Sequence, residues 1–342
     1  MNFQAPEVEK ERMHRLFMAR PSGLYKAILQ RHIASMAPRL AAFALLGLLA
    51  VAACGNSDPE SSPSLSPTPS ALPLPTETPV ADAVRFFTFG DWGTGTQSQQ
   101  DVATALEKFC PEWGCDFGLL LGDNFYDAGV ASVSDPQWQA KFETVYDIDV
   151  PFYALLGNHD YDGNEQAEID YTALSDRWNM PARNYQILRP EGGAAPLLEI
   201  FVIDSNAVDA ASAAALGAAI AASQARWKIA ALHHPLYSNG PHPDDELGQN
   251  AFLLPLLCDG VDAVLAGHDH FFSHLDDPND GCDFQEFIVG TGGRTLHAIR
   301  NDSRTLFAEA AYGFAWIEAS PDALTLKFVR HDLVLSYSFQ MK

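Results

Sequence analysis

The sequence predicts an α/β fold built on buried parallel strands, and three observations carry that prediction. From about Val84 to Lys342, apolar strand-like runs alternate with amphipathic helical stretches. Several runs, Phe117 to Leu121 among them, are apolar throughout, as strands covered on both faces are, and they stop at a glycine. The residue after that glycine is repeatedly a carboxylate, an amide or an imidazole: Asp91, Asp123, Asn158 and His268. Open sheets bind ligands beyond the carboxyl ends of their strands, so these side chains stand where chemistry collects.

Composition bounds the rest. The chain has 342 residues and shows no internal repeat and no second linker, so it reads as one folded domain after its N-terminal region. A formal net charge of −23 argues against nucleic acid or an anionic membrane surface as partner, and it means that a phosphate substrate needs a local positive centre. The five cysteines include no CxxC pair, which argues against a zinc ribbon.

Residues 1–54 read as a leader. Met36-Ala-Pro-Arg39 precedes an apolar run from Leu40 to Ala53, a length that suits a signal sequence. The run ends Val51-Ala-Ala-Cys54, and small residues before a cysteine resemble a bacterial lipoprotein signal, in which Cys54 is lipidated and becomes the mature N-terminus. A plain anchor or a cleaved signal is the alternative, although spanning a bilayer takes about 20 apolar residues. Met36 is a second candidate for the start codon. Residues 55–82 are rich in Pro, Ser and Thr and cannot bury a core, so they read as a tether holding the domain (83–342) off a membrane. The protein is then expected to be exported and lipid-anchored, facing the periplasm or the cell exterior, and monomeric. The four remaining cysteines suggest two disulfides in an exported chain. Of the three pairings, Cys110–Cys115 with Cys258–Cys282 closes the shortest loops, and four buried thiols are the alternative.

Within the domain, Val84–Phe89 is a strand ending at Gly90-Asp91-Trp92-Gly93, followed by a helix over 101–109 with Val102, Leu106 and Phe109 on one face. The next strand, Phe117–Leu121, leads to Asp123 and, three residues on, Tyr126. A carboxylate can bridge two hard ions, and a phenolate is a hard ligand that favours Fe(III). Trp138, Phe142, Val145 and Tyr146 form a helical stripe best explained as core. Phe152–Leu156 ends at Gly157-Asn158-His159-Asp160, where Asn158 offers a neutral oxygen, His159 a proton or a phosphate contact, and Asp160 a carboxylate to orient that imidazole. Leu197–Ile203 ends at Asp204, either a supporting carboxylate or a turn residue, and an alanine-rich helix follows over 210–226. Lys228–Leu232 leads to His233-His234, of which alternation along a strand allows one to reach a given ion. His242, on the next loop, is either a surface residue or a substrate contact. Asp262–Ala266 is read as the last apolar core strand, and it ends Gly267-His268-Asp269-His270, whose two histidines face one side of an extended segment. Strands over 313–319, 323–330 and 333–340 complete the sheet.

Taken together, Gly90-Asp-Trp-Gly93, Gly122-Asp-Asn-Phe-Tyr126, Gly157-Asn-His-Asp160, His233-His-Pro235 and Gly267-His-Asp-His270 resemble the metallophosphoesterases, and within them the small, tartrate-resistant purple acid phosphatases. The likeness extends over most of residues 84–342 and includes Trp178-Asn-Met-Pro181. It implies a four-layer αββα sandwich, two mixed sheets flanked by helices. It also implies that Asp91, Tyr126 and His270 hold Fe(III), that Asn158, His233 and His268 hold a divalent ion (Fe, Zn or Mn), and that Asp123 bridges the two. His159 and His242 then match the phosphate-contacting, proton-donating histidines. The implied reaction is hydrolysis of a small phosphate monoester by a hydroxide generated at the metals, with no covalent phosphoenzyme. One departure lies between Asp204 and His233, where mammalian members carry a longer, protease-sensitive loop and this chain is short and alanine-rich, leaving activation by cleavage without its target segment. A phosphodiesterase or nucleotide pyrophosphatase would use the same metals, and a non-catalytic surface module would keep the fold while having little need of the full ligand set.

Overall fold

The computed structural model describes residues 80, 82–192 and 195–342; the leader, Cys54 and nearly all of the Pro/Ser/Thr-rich stretch lie outside the described residues. Two seven-stranded sheets form the centre. The chain begins in the first with β1 (Val84–Phe89), β2 (Phe117–Leu120), β3 (Phe152–Ala154) and β4 (Trp178–Asn179), which pair in parallel in that order. It then builds the second sheet from β5 (Tyr185–Arg189), β6 (Leu198–Val202), β7 (Trp227–Ala231), β8 (Ala263–Ala266), β9 (Phe272–Leu275), β10 (Gln285–Val289) and β11 (Thr305–Glu309). In that sheet β6, β7, β8 and β10 are parallel neighbours, and β5, β9 and β11 pair antiparallel at the flanks. The chain returns to the first sheet with β12 (Gly313–Ala319), β13 (Leu324–Arg330) and β14 (Leu335–Met341), an antiparallel meander on the free edge of β1.

Side-chain alternation makes the layers. Ile200, Ile229, Ala231, Leu265, Phe287 and Val289 point into the core that holds the phenylalanines of β1 and β2. Their neighbours Phe201, Ala230, Leu232, Val264 and Ile288 point the other way, onto helices α4 (Ala210–Ala222) and α5 (Asn250–Leu257). On the first sheet α1 (Gln97–Trp113) brings Phe109 against Phe314 and Trp316 of β12, with ring centroids 5.2 Å and 6.1 Å apart. Two short helices, α2 (Asn158–Tyr161) and α3 (Glu165–Tyr171), follow β3. The result is two mixed sheets flanked by helices, the four-layer arrangement implied by the sequence. Among the described residues no helix is long and apolar enough to cross a membrane.

Three expectations change in detail. The alanine-rich helix stops at Ala222 and not at Arg226, because Ser223 leaves the helix to bond Glu199 and Arg226 lies over the Trp227 ring at 3.8 Å. Asp262–Ala266 is not the last core strand: β10 pairs with it in parallel and is almost wholly buried. The stripe of Trp138, Phe142, Val145 and Tyr146 is core, as expected, but Trp138–Glu143 is wound as a π-helix. Both disulfides form with the short-loop pairing, Cys110–Cys115 and Cys258–Cys282.

Candidate dinuclear metal centre

Five strand ends from the two sheets meet at one edge. Asp91 follows β1, Asp123 and Tyr126 follow β2, Asn158 follows β3, His233 follows β7, and His268 and His270 follow β8. Asp91, Asp123 and His268 each succeed a glycine and each takes a left-handed backbone, with φ of 60°, 50° and 67°. For a non-glycine residue that conformation costs on the order of 1–3 kcal/mol, and such residues gather at functional sites. It turns each side chain back across the sheet edge toward its neighbours. Gly157 is needed at the crossing: a Cβ there would stand 2.1 Å from Asp123 Oδ1.

The donor atoms fall into two groups that share one carboxylate. In the first, the Tyr126 hydroxyl is 2.7 Å from Asp123 Oδ2, 3.0 Å from Asp91 Oδ1 and 3.5 Å from His270 Nε2, and His270 Nε2 is 3.2 Å from Asp91 Oδ1. In the second, His233 Nε2 is 3.4 Å from Asp123 Oδ1, 3.1 Å from Asn158 Oδ1 and 3.3 Å from His268 Nδ1. Metal–ligand bonds of about 2 Å put adjacent ligands on one ion roughly 3 Å apart. The two oxygens of Asp123 therefore face different donor groups.

The outer hydrogen bonds fix which ring nitrogen is bare. His233 Nδ1 donates to the Leu121 carbonyl at 2.8 Å and His270 Nδ1 to the Thr295 carbonyl at 2.7 Å, so each directs Nε2 inward; burial opposes charge on His270, yet Asp91 raises its pKa, so a metal there would take the place of the Nε2 proton. His268 is reversed: Nε2 meets Glu246 at 2.7 Å and Nδ1 points in. Burial, with His233 and His234 alongside, pushes the His268 imidazole far down and keeps it neutral, as a ligand must be. Burial opposes charge on Asp91, yet His270 and His233 hold its carboxyl below the usual range. Burial, then Asp91 and Asp123, hold the Tyr126 phenol well above its ordinary value, so a phenolate here requires a cation beside it. Asp91 and Asp123 are buried, and among the described residues their ion-pair partners are histidines, with no Lys or Arg. Buried carboxylates of this kind are paired or coordinate metals, and the donor set of hard oxygens and neutral imidazoles fits two ions.

The two expected substrate histidines flank the centre. His159 Nδ1 is 2.6 Å from the Asp127 carbonyl, and its Nε2 lies 3.9 Å from Asp123 Oδ2. His242 sits on the opposite side, its ring 3.9 Å from that of His268, with Nδ1 3.1 Å from Glu246.

Two readings are corrected. Asp160 does not orient the His159 ring. Its carboxylate caps α2 by accepting from the Gly157 amide at 2.8 Å, and it accepts from the Asn124 and Phe125 amides, so it shapes the Asp123 turn. His233 and His234 are not separated by strand alternation, because β7 ends at Ala231; nitrogens of His233, His234 and His268 lie within 4.8 Å of one another. His234 is nevertheless spoken for. Ser205 Oγ accepts from its amide and donates to Nδ1 at 2.9 Å, and burial lowers its pKa to about 3, so the neutral ring keeps its proton on Nε2. Asp204 serves as a turn residue, capping the 3₁₀ turn Ser205–Ala207 and bonding Tyr161.

Sequence reasoning missed three residues beside the centre. Arg294 lies 4.4 Å above the Tyr126 ring and pairs with Asp127 at 2.9 Å. His297 stacks on His270 at 3.8 Å and faces Asp269 at 3.4 Å. Glu246 is four residues after His242, the one local signal that a second polar group belongs there.

A profile of calcineurin-like phosphoesterases matches residues 84–272, the span that holds all seven donors. The chain belongs to that family. Mouse tartrate-resistant acid phosphatase type 5 is 32% identical over 300 residues, covering 75% of this chain and 90% of the mouse protein. Purple acid phosphatase 17 of Arabidopsis thaliana is 31% identical over 233 residues, 59% of this phosphoesterase and 67% of the plant protein. Among solved structures, GAP50, the anchor in the inner membrane complex of Plasmodium, superposes with a TM-score of 0.68 at 26% identity over 76% of this chain and 89% of its own. Purple acid phosphatase PPD1 from yellow lupin seeds shares the fold, with a TM-score of 0.59 at 18% identity over 75% of this phosphoesterase and 53% of its own chain.

Proposed function

We propose that this phosphoesterase is an acid phosphatase that hydrolyses small phosphate monoesters at a dinuclear centre of Fe(III) and a divalent ion, either Fe, Zn or Mn. The observation that carries the reading is the division of Asp123, whose Oδ2 faces Tyr126 while Oδ1 faces His233. In this reading Asp91, Tyr126 and His270 hold Fe(III), Asn158, His233 and His268 hold the divalent ion, and Asp123 bridges. Bound there, the ions would neutralise phosphoryl oxygens and supply hydroxide at low pH. The protein's own part is placement and proton transfer. With Nδ1 donating to the Asp127 carbonyl, His159 turns Nε2 toward the centre, where its charged form binds a phosphoryl oxygen or protonates the leaving oxygen. His242 presents its ring from the other side and can share that task. In this reading the nucleophile is the hydroxide that the metals would supply, and no covalent phosphoenzyme forms.

Metal analysis of the purified protein with paired monoester and diester assays tests the reading. Two ions per chain and faster monoester turnover support it. Preference for a diester or a nucleotide pyrophosphate moves the enzyme to another member chemistry of the family, and absence of bound metal defeats it.

We further propose that Cys54 is lipidated and that residues 55–82 tether the exported domain (83–342) to a membrane. The small residues before Cys54 motivate this. Wild type and Cys54→Ala that fractionate equally with membranes would rule it out.

A further inference from the structure

Of the seven donors, only His268 has a side chain as its outer hydrogen-bond partner. His233 and His270 are held by backbone carbonyls, which no substitution removes. His268 Nε2 instead meets Glu246 Oε2 at 2.7 Å, and the same oxygen is 3.1 Å from His242 Nδ1. One carboxylate oxygen thus meets the ring N–H of a donor of the second group and stands at ion-pair distance from His242.

The loop that carries Glu246 is fastened on both sides, although the side chain is a third exposed. The Ser238 amide donates to Asp244 at 2.7 Å, and Arg304 pairs with Asp244 at 2.8 Å. Asp245 accepts from the Asn250 amide at 2.7 Å at the start of α5. Glu246 is therefore presented at a set place directly after two anchored residues. Its hydrogen bond also fixes a tautomer: a proton on His268 Nε2 bares Nδ1 toward His233, while the same carboxylate stands beside His242 Nδ1 as an ion-pair partner.

We propose that Glu246 is a positioning residue that holds His268 for the divalent ion and His242 for the substrate at once, so that occupancy of that ion's site and the aim of His242 depend on one carboxylate. The proposal rests on the dinuclear reading above. It differs from a surface ion pair, because an exposed pair contributes little, whereas an outer partner of a ligating histidine is typically worth 10–100-fold in metal affinity.

The test uses the metal-loaded enzyme with Glu246→Ala and Glu246→Gln, the latter keeping an oxygen that can accept from His268 Nε2. Three quantities are read: divalent-ion affinity, iron retention through its visible band, and kcat against KM. Glu246→Ala should weaken the divalent ion about 10–100-fold, retain iron and its colour, and lower kcat. Glu246→Gln should recover most of the affinity. Wild-type divalent affinity and kcat in Glu246→Ala would overturn the proposal, as would loss of both metals in parallel with a lowered melting temperature, since that marks a purely structural role. A wild-type protein that binds no metal defeats the dinuclear reading itself, and the two failures are told apart by that control.

Discussion

The strain of the centre is concentrated in single residues. Asp91, Asp123 and His268 accept a left-handed backbone where glycine would be easier, and each has a side chain in one of the two donor groups. Tyr126 is the most discriminating of the donors. Its hydroxyl sits between two carboxylates at 2.7 and 3.0 Å, a place where burial and charge both oppose ionisation. A strongly acidic ion such as Fe(III) would overcome that opposition by replacing the proton, and a phenolate on Fe(III) would absorb visible light. The iron-loaded, oxidised protein should be pink or purple, and Tyr126→Phe should lose the band while retaining iron. An iron-loaded wild type without visible absorption refutes the assignment even if phosphatase activity survives. His159 makes the opposite contrast. Its ring bonds a backbone carbonyl and keeps 3.9 Å from Asp123, outside both donor groups. His159→Ala should leave metal content intact and lower kcat by the roughly 10²–10⁴-fold typical of a lost acid–base group; metal loss on the scale of His268→Ala would make it a ligand.

At the level of elements, β1, β2, β3 and β8 are legible in the sequence because each runs into a glycine, and β6, β7 and β12 to β14 from their strand-like runs alone. β9 was not legible: Phe-Ser-His-Leu alternates like a half-exposed strand, yet all four residues are buried. Ser273 and His274 are accommodated because partners reach them from distant strands, and a single local window cannot supply those. His274 Nε2 donates to Gln285 at 2.8 Å, Nδ1 accepts from Tyr337 at 2.9 Å, and the ring lies 4.3 Å from that of Phe287. The neutral imidazole is fully satisfied there, and burial lowers its pKa to about 4 from 6.5. The unfolded chain takes up this proton near pH 6.5 and the folded one near 4, so the contribution is present above pH 6.5 and is lost as pH falls toward 4. Its size is at most about 3 kcal/mol. Urea unfolding at pH 7 and pH 4.5 should show wild type losing about 2 kcal/mol more on acidification than His274→Gln. Equal losses would mean that the ring does not resist protonation. Asp160 and Glu246 escaped a correct reading for the same reason as β9. Their roles depend on the Asp123 turn and on the loop after β7, and both are contacts across the fold.

For the whole molecule, the centre lies on the seam between the sheets: Asp91, Asp123, Tyr126 and Asn158 come from the first, and His233, His268 and His270 from the second. Two ions bound there would tie the sheets together, so metal binding would add to folding stability by mass action. The surrounding protein has the opposite electrostatic character. Its formal charge of −23 repels an approaching phosphate, while the proposed ions with Asp91, Asp123 and phenolate Tyr126 would leave a positive pocket of short range. At about 10 mM salt the screening length is roughly 30 Å and the whole acidic surface is felt; near 150 mM it is about 8 Å and chiefly the pocket is felt. Steering by the whole molecule is therefore unfavourable and attraction by the centre is favourable, and salt separates the two. For a small monoester dianion, kcat/KM should rise over that range with kcat little changed, because the effect lies in encounter. A substrate bearing a second phosphate should respond more steeply, since its distal charge stays outside the pocket and meets the acidic surface throughout approach. A kcat/KM that falls as salt is added would show that the positive centre governs encounter over the full distance, and the net charge would then have no part in selecting substrates.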